Sequence, residues 1–291
     1  MSGSPNGSRH DLNSVPLTVL SSGLDWVTAT ARTETHQLFM ATLGTKWLRD
    51  QEAAGYEVTP MACRGYTGMR VEGVTVGTRA DGVLVRLSGP TAHQHGDQLI
   101  RLADHVSRID YEVTTRDTAA ALDWADAVAS KLREDLRIAS GRTSLTHVQD
   151  NAGGHTLYIG RRISDRFFRV YNKTAESKGE WPAGAWRFEV EYKGRRAETH
   201  AARIAAEKWH AYRAADAVWS AFRDYGVELP FPYIGADHRD FAPRRQTDDE
   251  KRLRYLGTVV RPMVRKLRDA YGAATLREVL QLDDNDAIEN A

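Results

Sequence analysis

From Thr156 to Tyr192 apolar and reactive side chains alternate with the two-residue period of β-strands. Thr156–Lys173 (TLYIGRRISDRFFRVYNK) reads as two strands joined by an arginine-rich turn, and Trp186–Tyr192 (WRFEVEY) reads as a third. Successive side chains on a strand point to opposite faces. Arg169, Tyr171 and Lys173 therefore share one face, and Arg187, Glu189 and Glu191 share one face of the next strand. The opposite faces carry Phe168 and Val170, then Trp186, Phe188, Val190 and Tyr192, a set suited to a core. A tyrosine, two carboxylates and several cations on the solvent-facing side are an odd covering for a merely structural surface, although charged residues also fill exposed faces routinely.

The remaining pattern predicts strands interleaved with helices. Leu24–Thr30 (LDWVTAT) reads as a first strand, and Thr33–Ala54 as a helix interrupted near Gly44. Gly68–Thr78 and Gly82–Ser88 read as a hairpin around Arg79-Ala80-Asp81-Gly82, since Asp-Gly is a strong turn signal. Asp97–Val106 has helical spacing, and Arg108–Thr114 (RIDYEVT) alternates as a strand. Asp117 is expected to cap a further helix. Ile138–Gly154 reads as a polar surface loop, and Arg195–Tyr225 as helical up to Gly226 and Pro230. Gly235–Asp249 reads as a linker, and Asp249–Leu282 as a second helical unit broken at Pro262 and Gly272. The fold class expected is α+β: an antiparallel sheet backed by helices on one face, with a helical C-terminal region. Its domains are a disordered arm (1–20), a catalytic domain (21–235), a helical region (236–283) and an acidic tail (284–291).

Composition narrows the class. With 41% hydrophobic and 27% charged residues the 291-residue chain is that of a soluble globular protein. No apolar run approaches bilayer length, and Met1–Ser14 lacks the apolar middle of a signal peptide. The single cysteine, Cys63, allows neither an intrachain disulfide nor a cysteine metal site, and a cytoplasmic protein fits best. The net charge of +1 hides basic stretches at His155–Arg213 and Lys251–Arg268, which allow a polyanionic partner.

Tyrosine, with a pKa of about 10, is a poor nucleophile unless cations stabilise its phenolate and the electrophile is polarised. Arg169 and Lys173 flank Tyr171 on its own face. Glu189 and Glu191 on the next strand, with Asp110 from RIDYEVT, offer the oxygen ligands that magnesium or manganese prefers. Surface salt bridges are the competing explanation for Asp110 and Glu191. Tyr158, flanked by Thr156 and Gly160 rather than cations, is the rival nucleophile and otherwise an edge or stacking residue. His93-Gln94-His95 has the spacing of a histidine metal pair. It lies between Ser88-Gly89-Pro90 and Gly96, a setting that reads as loop rather than strand.

GHTLYIGRRISDRFFRVYNKTAE followed by WRFEVEYKGRRA resembles the trans-acting (Rep_trans) replication initiators of rolling-circle plasmids and the related relaxases of integrative conjugative elements. Thr156, Tyr158, Gly160, Arg162, Ser164, Arg169, Tyr171, Asn172, Lys173, Glu176, Arg187 and Glu189 carry the pattern. LDWVTAT, LSG at Leu87–Gly89, RID at Arg108–Asp110 and the Lys251–Leu282 segment add weaker likeness. The resemblance implies a core like that of HUH endonucleases. It implies nicking of one origin strand, a 5′-phosphotyrosine and a free 3′-hydroxyl that primes synthesis. It makes Tyr171 the nucleophile, assisted by Lys173, Arg169 and Arg187. Asp110 and Glu189, with Glu191, become ligands for Mg2+ or Mn2+. DNA is expected at Arg161 and Arg162 and, on the helical end, at Arg265 and Arg268, in series with Arg254 and Arg261. Partners implied are origin DNA with an extruded or single-stranded nick site, a host helicase and a second copy of the chain; no membrane is involved. The chain departs from the family at Thr114-Thr115, where acidic residues are usual, and at Arg161, where serine is usual. A conjugative relaxase and a non-catalytic nucleic-acid-binding protein are the alternatives.

Overall fold

In the computed structural model the described residues are 18–116, 124–127, 129–130, 133, 144–149, 154–177, 180–206, 212–225, 229, 231 and 261–272. The expected arm up to residue 17, the Asp117 cap, the linker at 235–249, Arg254 and the acidic tail lie outside them. Residues 1–241 and 242–291 form two compact units.

The first unit is built on ten strands among the described residues: β1 (Thr18–Ala31), β2 (Thr59–Cys63), β3 (Tyr66–Val71), β4 (Val74–Arg79), β5 (Gly82–Ser88), β6 (His105–Arg116), β7 (Leu145–Gln149), β8 (His155–Ile159), β9 (Arg166–Asn172) and β10 (Ala185–Lys193). They form one sheet in the order β2-β3-β4-β5-β1-β6-β10-β9-β8-β7, with antiparallel neighbours throughout. The unit's helices are α1 (Glu34–Ala53), α2 (Gly89–Leu102), the single turn α3 (Lys173–Glu176), α4 (Gly194–Ala206) and α5 (Tyr212–Arg223). The α+β class expected from the sequence is the one observed.

One face of the sheet is apolar, and the long helices lie on it. Gly44 on α1 sits against Val76 and Val85, where a Cβ would come within 2.9 Å of Val76, and Gly96 on α2 sits against Leu24 and Val27. Gly44 therefore permits close packing and does not interrupt α1 as the sequence suggested. Farther across, Phe222 of α5 meets Phe168 edge-on with ring centroids 4.9 Å apart, and Trp124 meets Phe188 at 5.1 Å. Trp186, Phe188, Val190 and Tyr192 are all buried, as the alternation required.

Other expectations need correction. The first strand of the predicted hairpin is two strands, because Val71 pairs with Val74 across a turn at Glu72-Gly73. Two edge strands escaped notice. β2 contains Pro60, which lacks the N–H for a ladder and suits a sheet edge. β7, within the supposed loop, is short and largely exposed on the other edge, so it shows no clean alternation. His93-Gln94-His95 lies in α2, which begins before the predicted Asp97. Pro90 occupies its first turn, where the missing N–H removes no intrahelical bond.

In the second unit the described helix is α6 (Arg261–Tyr271), followed by Gly272 with φ +81°. Pro262 lies in its first described turn, where proline is tolerated, so no kink is seen within it.

Candidate active site

β6, β10 and β9 lie side by side, and their register assembles the reactive residues. Arg187 pairs with Tyr171 on one side and Thr114 on the other. Glu189 pairs with Arg169 and Glu112, and Glu191 with Phe167 and Asp110. Directly opposed residues share a face, so the eight polar residues among these project together, away from the apolar core.

The sequence suggested a solvent-facing surface. It is instead almost closed: Asp110 is 0% exposed, Glu189 1% and Tyr171 7%. Charges can be buried this way only when each has partners, and here they interlock. Tyr171 Oη donates to Glu189 Oε1 at 2.5 Å, and Arg169 pairs with the other Glu189 oxygen while reaching to 3.9 Å from Asp110. Arg108 donates to both Asp110 oxygens, at 2.8 and 2.5 Å, and lies 2.8 Å from Glu191. Glu191 also pairs with Lys193.

A second cluster adjoins the first through Arg187. Its Nε donates to Thr114 Oγ1 and its Nη1 to Asp25 Oδ1, both at 2.9 Å, and Nε lies 3.4 Å from Glu112. Glu112 accepts from Ser21 and Thr114, each at 2.6 Å, and meets His93 Nε2 at 3.1 Å. His93 reaches it across Gly23, where a Cβ would come within 2.8 Å of the imidazole.

Burial divides the carboxyls. It is the largest influence on Glu189, pushing it up to about 7 despite the Arg169 charge, with Asp25 adding repulsion. Burial likewise lifts Asp110 to about 6 against the pull of Arg108. Glu112 feels the same desolvation, but His93, Arg187, Ser21 and Thr114 outweigh it and hold the group below its ordinary value. Tyr171 is raised by burial and then by the Glu189 carboxylate, with Arg187 opposing. This corrects the expected cation-stabilised phenolate: Arg169 is engaged by Glu189, and the resting hydroxyl is neutral.

The register brings together Tyr171, Arg169, Arg187, Asp110, Glu189 and Glu191 of the expected set. Lys173 lies outside β9, opening α3 after the Asn172 cap. It pairs with Glu176 at 2.7 Å, yet its ammonium is 5.8 Å from the centre of the Tyr171 ring. Tyr158 stacks on Phe167 with centroids 5.7 Å apart, as a stacking residue would. Arg161 and Arg162 are exposed on the β8–β9 turn, with Arg162 5.9 Å from the Phe167 ring centre. On α6, Arg265 is exposed and Arg268 lies 3.5 Å from Asp269; the side chain of Arg261 lies outside the described set. Of the histidine pair, His95 stacks on Trp47.

Sequence reasoning missed Asp25, Glu112 and His93 as members of this network. Asp25 occupies a bulge: Leu24 pairs with Tyr111 and Trp26 with Asp110, so Asp25 has no partner of its own in the ladder. Simple alternation, which puts Asp25 on the face of Val27, fails there. Glu112 was legible from its shared face with Asp110, whereas His93 needed α2 to be recognised as a helix.

Residues 109–226 match the family model described as replication initiation factor (Rep_trans). Over that span the chain is similar to the replication initiation factors of this family. The matched span runs from β6 through α5 and contains Asp110, Glu112, Arg169, Tyr171, Arg187, Glu189 and Glu191. The fold is also that of a rolling circle replication initiator protein from Geobacillus stearothermophilus, with a TM-score of 0.51 at 19% identity over 81% of this chain and 95% of that one. No curated protein matches the chain. No helix among the described residues is long and apolar enough to cross a membrane.

The donor chemistry of Asp110, Glu189 and Glu191 suits a hard divalent cation. Their placement is another matter: Arg108 and Arg169 hold all three, and no three acidic, histidine or cysteine side chains among the described residues converge as ligands. The residues fit such an ion in kind, provided the arginines yield.

Proposed function

We propose that this protein is an initiator that nicks one strand of its origin by transesterification at Tyr171. The contact between Tyr171 Oη and Glu189 carries the reading, because it joins a nucleophile to a carboxyl whose pKa, about 7, suits a general base near neutrality. The hydroxyl gives its proton to Glu189 as Oη bonds to phosphorus. The bond from phosphorus to the 3′ oxygen breaks, and that oxygen takes up a proton to leave a free 3′-hydroxyl. The 5′ phosphate stays on Tyr171, so one phosphodiester replaces another and the step is reversible. Deprotonation of so buried a phenol is eased when the incoming phosphate draws Arg169 and Arg187 towards it. Lys173 is close enough to join them. Asp110, Glu189 and Glu191 would hold Mg2+ or Mn2+, which when bound would polarise the scissile phosphate.

Origin duplex with an unpaired nick site is the substrate, approached in the cytoplasm by a second copy of the chain and a host helicase as partners. Arg161, Arg162, Arg265 and Arg268 are the proposed DNA contacts outside the site. Supercoiled origin DNA incubated with the protein and manganese should be converted to open circles. Tyr171→Phe should abolish that conversion and leave origin binding nearly unchanged; nicking that persists in this variant would refute the assignment.

A further inference from the structure

The face that carries the network continues across β1, β5, β4 and β3, beyond the span of the family match. Register places one row of side chains on it: Arg108 opposite Thr28, Thr28 opposite Arg86, Arg86 opposite Thr75, and Thr75 opposite Arg70. Cations thus alternate with threonines from β6 to β3. At about 4.8 Å per strand, Arg108, Arg86 and Arg70 stand roughly 10 Å apart in sequence across the sheet.

Two of these cations differ from those around Tyr171. Arg86 lies 5.4 Å from the Trp26 ring centre, its Nε is buried without a hydrogen-bond partner, and it makes no ion pair among the described residues. Arg70 is exposed and, among the described residues, donates to the neutral Thr59 hydroxyl alone, at 3.1 Å. Trp26 supports the row from beneath: Arg108 lies 4.4 Å from its ring centre, and its indole N–H donates to Thr28 at 2.8 Å. A cation resting on an aromatic ring keeps its charge available, whereas one clamped by a carboxylate does not. The helices packed on β1, β4 and β5 lie on the other face, against Val27, Val76 and Val85.

We propose that Arg86 and Arg70 form a phosphate track that carries the unpaired DNA strand across the N-terminal half of the sheet, away from the nick site. The occupant is a polyanion, since two guanidinium groups with no carboxylate partner among the described residues share this face at regular spacing. It is single-stranded, since a sheet face follows one backbone more readily than it fits a duplex. The six steps from Thr114, level with Tyr171, to Arg108 span about 20 Å, so the track holds nucleotides several positions from the scissile bond. This rests on the reading of Tyr171 as nucleophile only for its direction; the binding itself does not need cleavage.

The test uses the full chain carrying Tyr171→Phe, an oligothymidylate long enough to cross the sheet, and fluorescence anisotropy across about 50–200 mM salt. Arg70→Ala with Arg86→Ala should weaken binding and reduce the slope of log K against log salt by about 1.4, since each lost phosphate contact on a single strand is worth about 0.7. Arg70→Lys with Arg86→Lys should restore most of that slope, and thermal melting should confirm folding. Arg49→Ala, an exposed cation on α1 behind the sheet, should leave the slope alone. An unchanged slope in the folded alanine pair would overturn the track. So would an equal fall in Arg49→Ala, or a loss confined to duplex DNA. Loss of nicking in the Tyr171-containing protein would bear on the catalytic reading alone.

Discussion

The two faces of β10 are both buried, yet they are held by different physics. Trp186, Phe188, Val190 and Tyr192 meet rings and aliphatic groups, and any close-packed apolar neighbour would satisfy them. Arg187, Glu189 and Glu191 must each meet a particular opposite charge at hydrogen-bond distance. The first face gains from burial and the second bears a desolvation penalty that only partners offset. A protein keeps such a face for chemistry more readily than for stability. The comparison can be broken at neighbouring positions on one strand.

The largest effect is expected on cleavage. Glu189→Gln or Asp110→Asn should depress nicking by at least about a hundredfold and weaken metal binding, because each removes a charged oxygen from the reacting site. Below the Glu189 pKa of about 7 the Gln variant resembles the protonated native group, so its Tm should stay within a few degrees of wild type. Equal loss of nicking in His93→Ala would move the metal towards the α2 histidine.

One residue away the pattern should reverse. Phe188→Ala removes a fully buried ring that meets Trp124, Phe222 and Phe231, and should cost about 3–5 kcal/mol in denaturant unfolding. The molecules that remain folded should nick at nearly the native rate. A stable Phe188→Ala with a dead site would show that the two faces are not separable.

The pH dependence of stability sharpens the contrast. Between the ordinary glutamate value of 4.5 and about 7, the folded protein binds more protons at Glu189 than the unfolded chain does. Asp110 acts alike between 3.8 and about 6. Where the native state holds the extra proton, stability falls as pH rises. Unfolding in metal-free buffer should therefore show stability declining from about pH 4.5 to 7, and Asp110→Asn with Glu189→Gln should flatten that decline. An undiminished decline in the double variant would remove these carboxyls as its source.

The smallest effect concerns α6. Arg265→Ala with Arg268→Ala should weaken origin binding severalfold and lower its salt dependence, while a single-stranded oligonucleotide containing the nick site is still cut. If both activities fell with the fold intact, recognition would belong to the sheet and its loops.

The apolar face was legible because the strand period alone decides which side of Phe168 or Phe188 is dry. The same period puts Tyr171, Glu189 and Asp110 on the polar faces of their strands. It could not reveal how they are spent: Arg169 looked like a partner for a phenolate and is bound to Glu189. Nor could it find Asp25, since a bulge changes the parity of β1 between Leu24 and Trp26. His93 was lost to Ser88-Gly89-Pro90, which reads as a break and is the start of a helix. Pairwise geometry, bulges and helix starts containing proline are set by neighbours distant in the chain, and local pattern carries little of them.

The central claim is that Tyr171 becomes covalently joined to DNA through the proton it shares with Glu189. Trapping the protein on a single-stranded oligonucleotide spanning the nick site, in manganese, and mapping the nucleotidyl peptide by mass spectrometry tests it directly. The account predicts a 5′-phosphate on Tyr171, absent from Tyr171→Phe and strongly reduced in Glu189→Gln. A phosphotyrosine on Tyr158, or an adduct that survives in Tyr171→Phe, would contradict it.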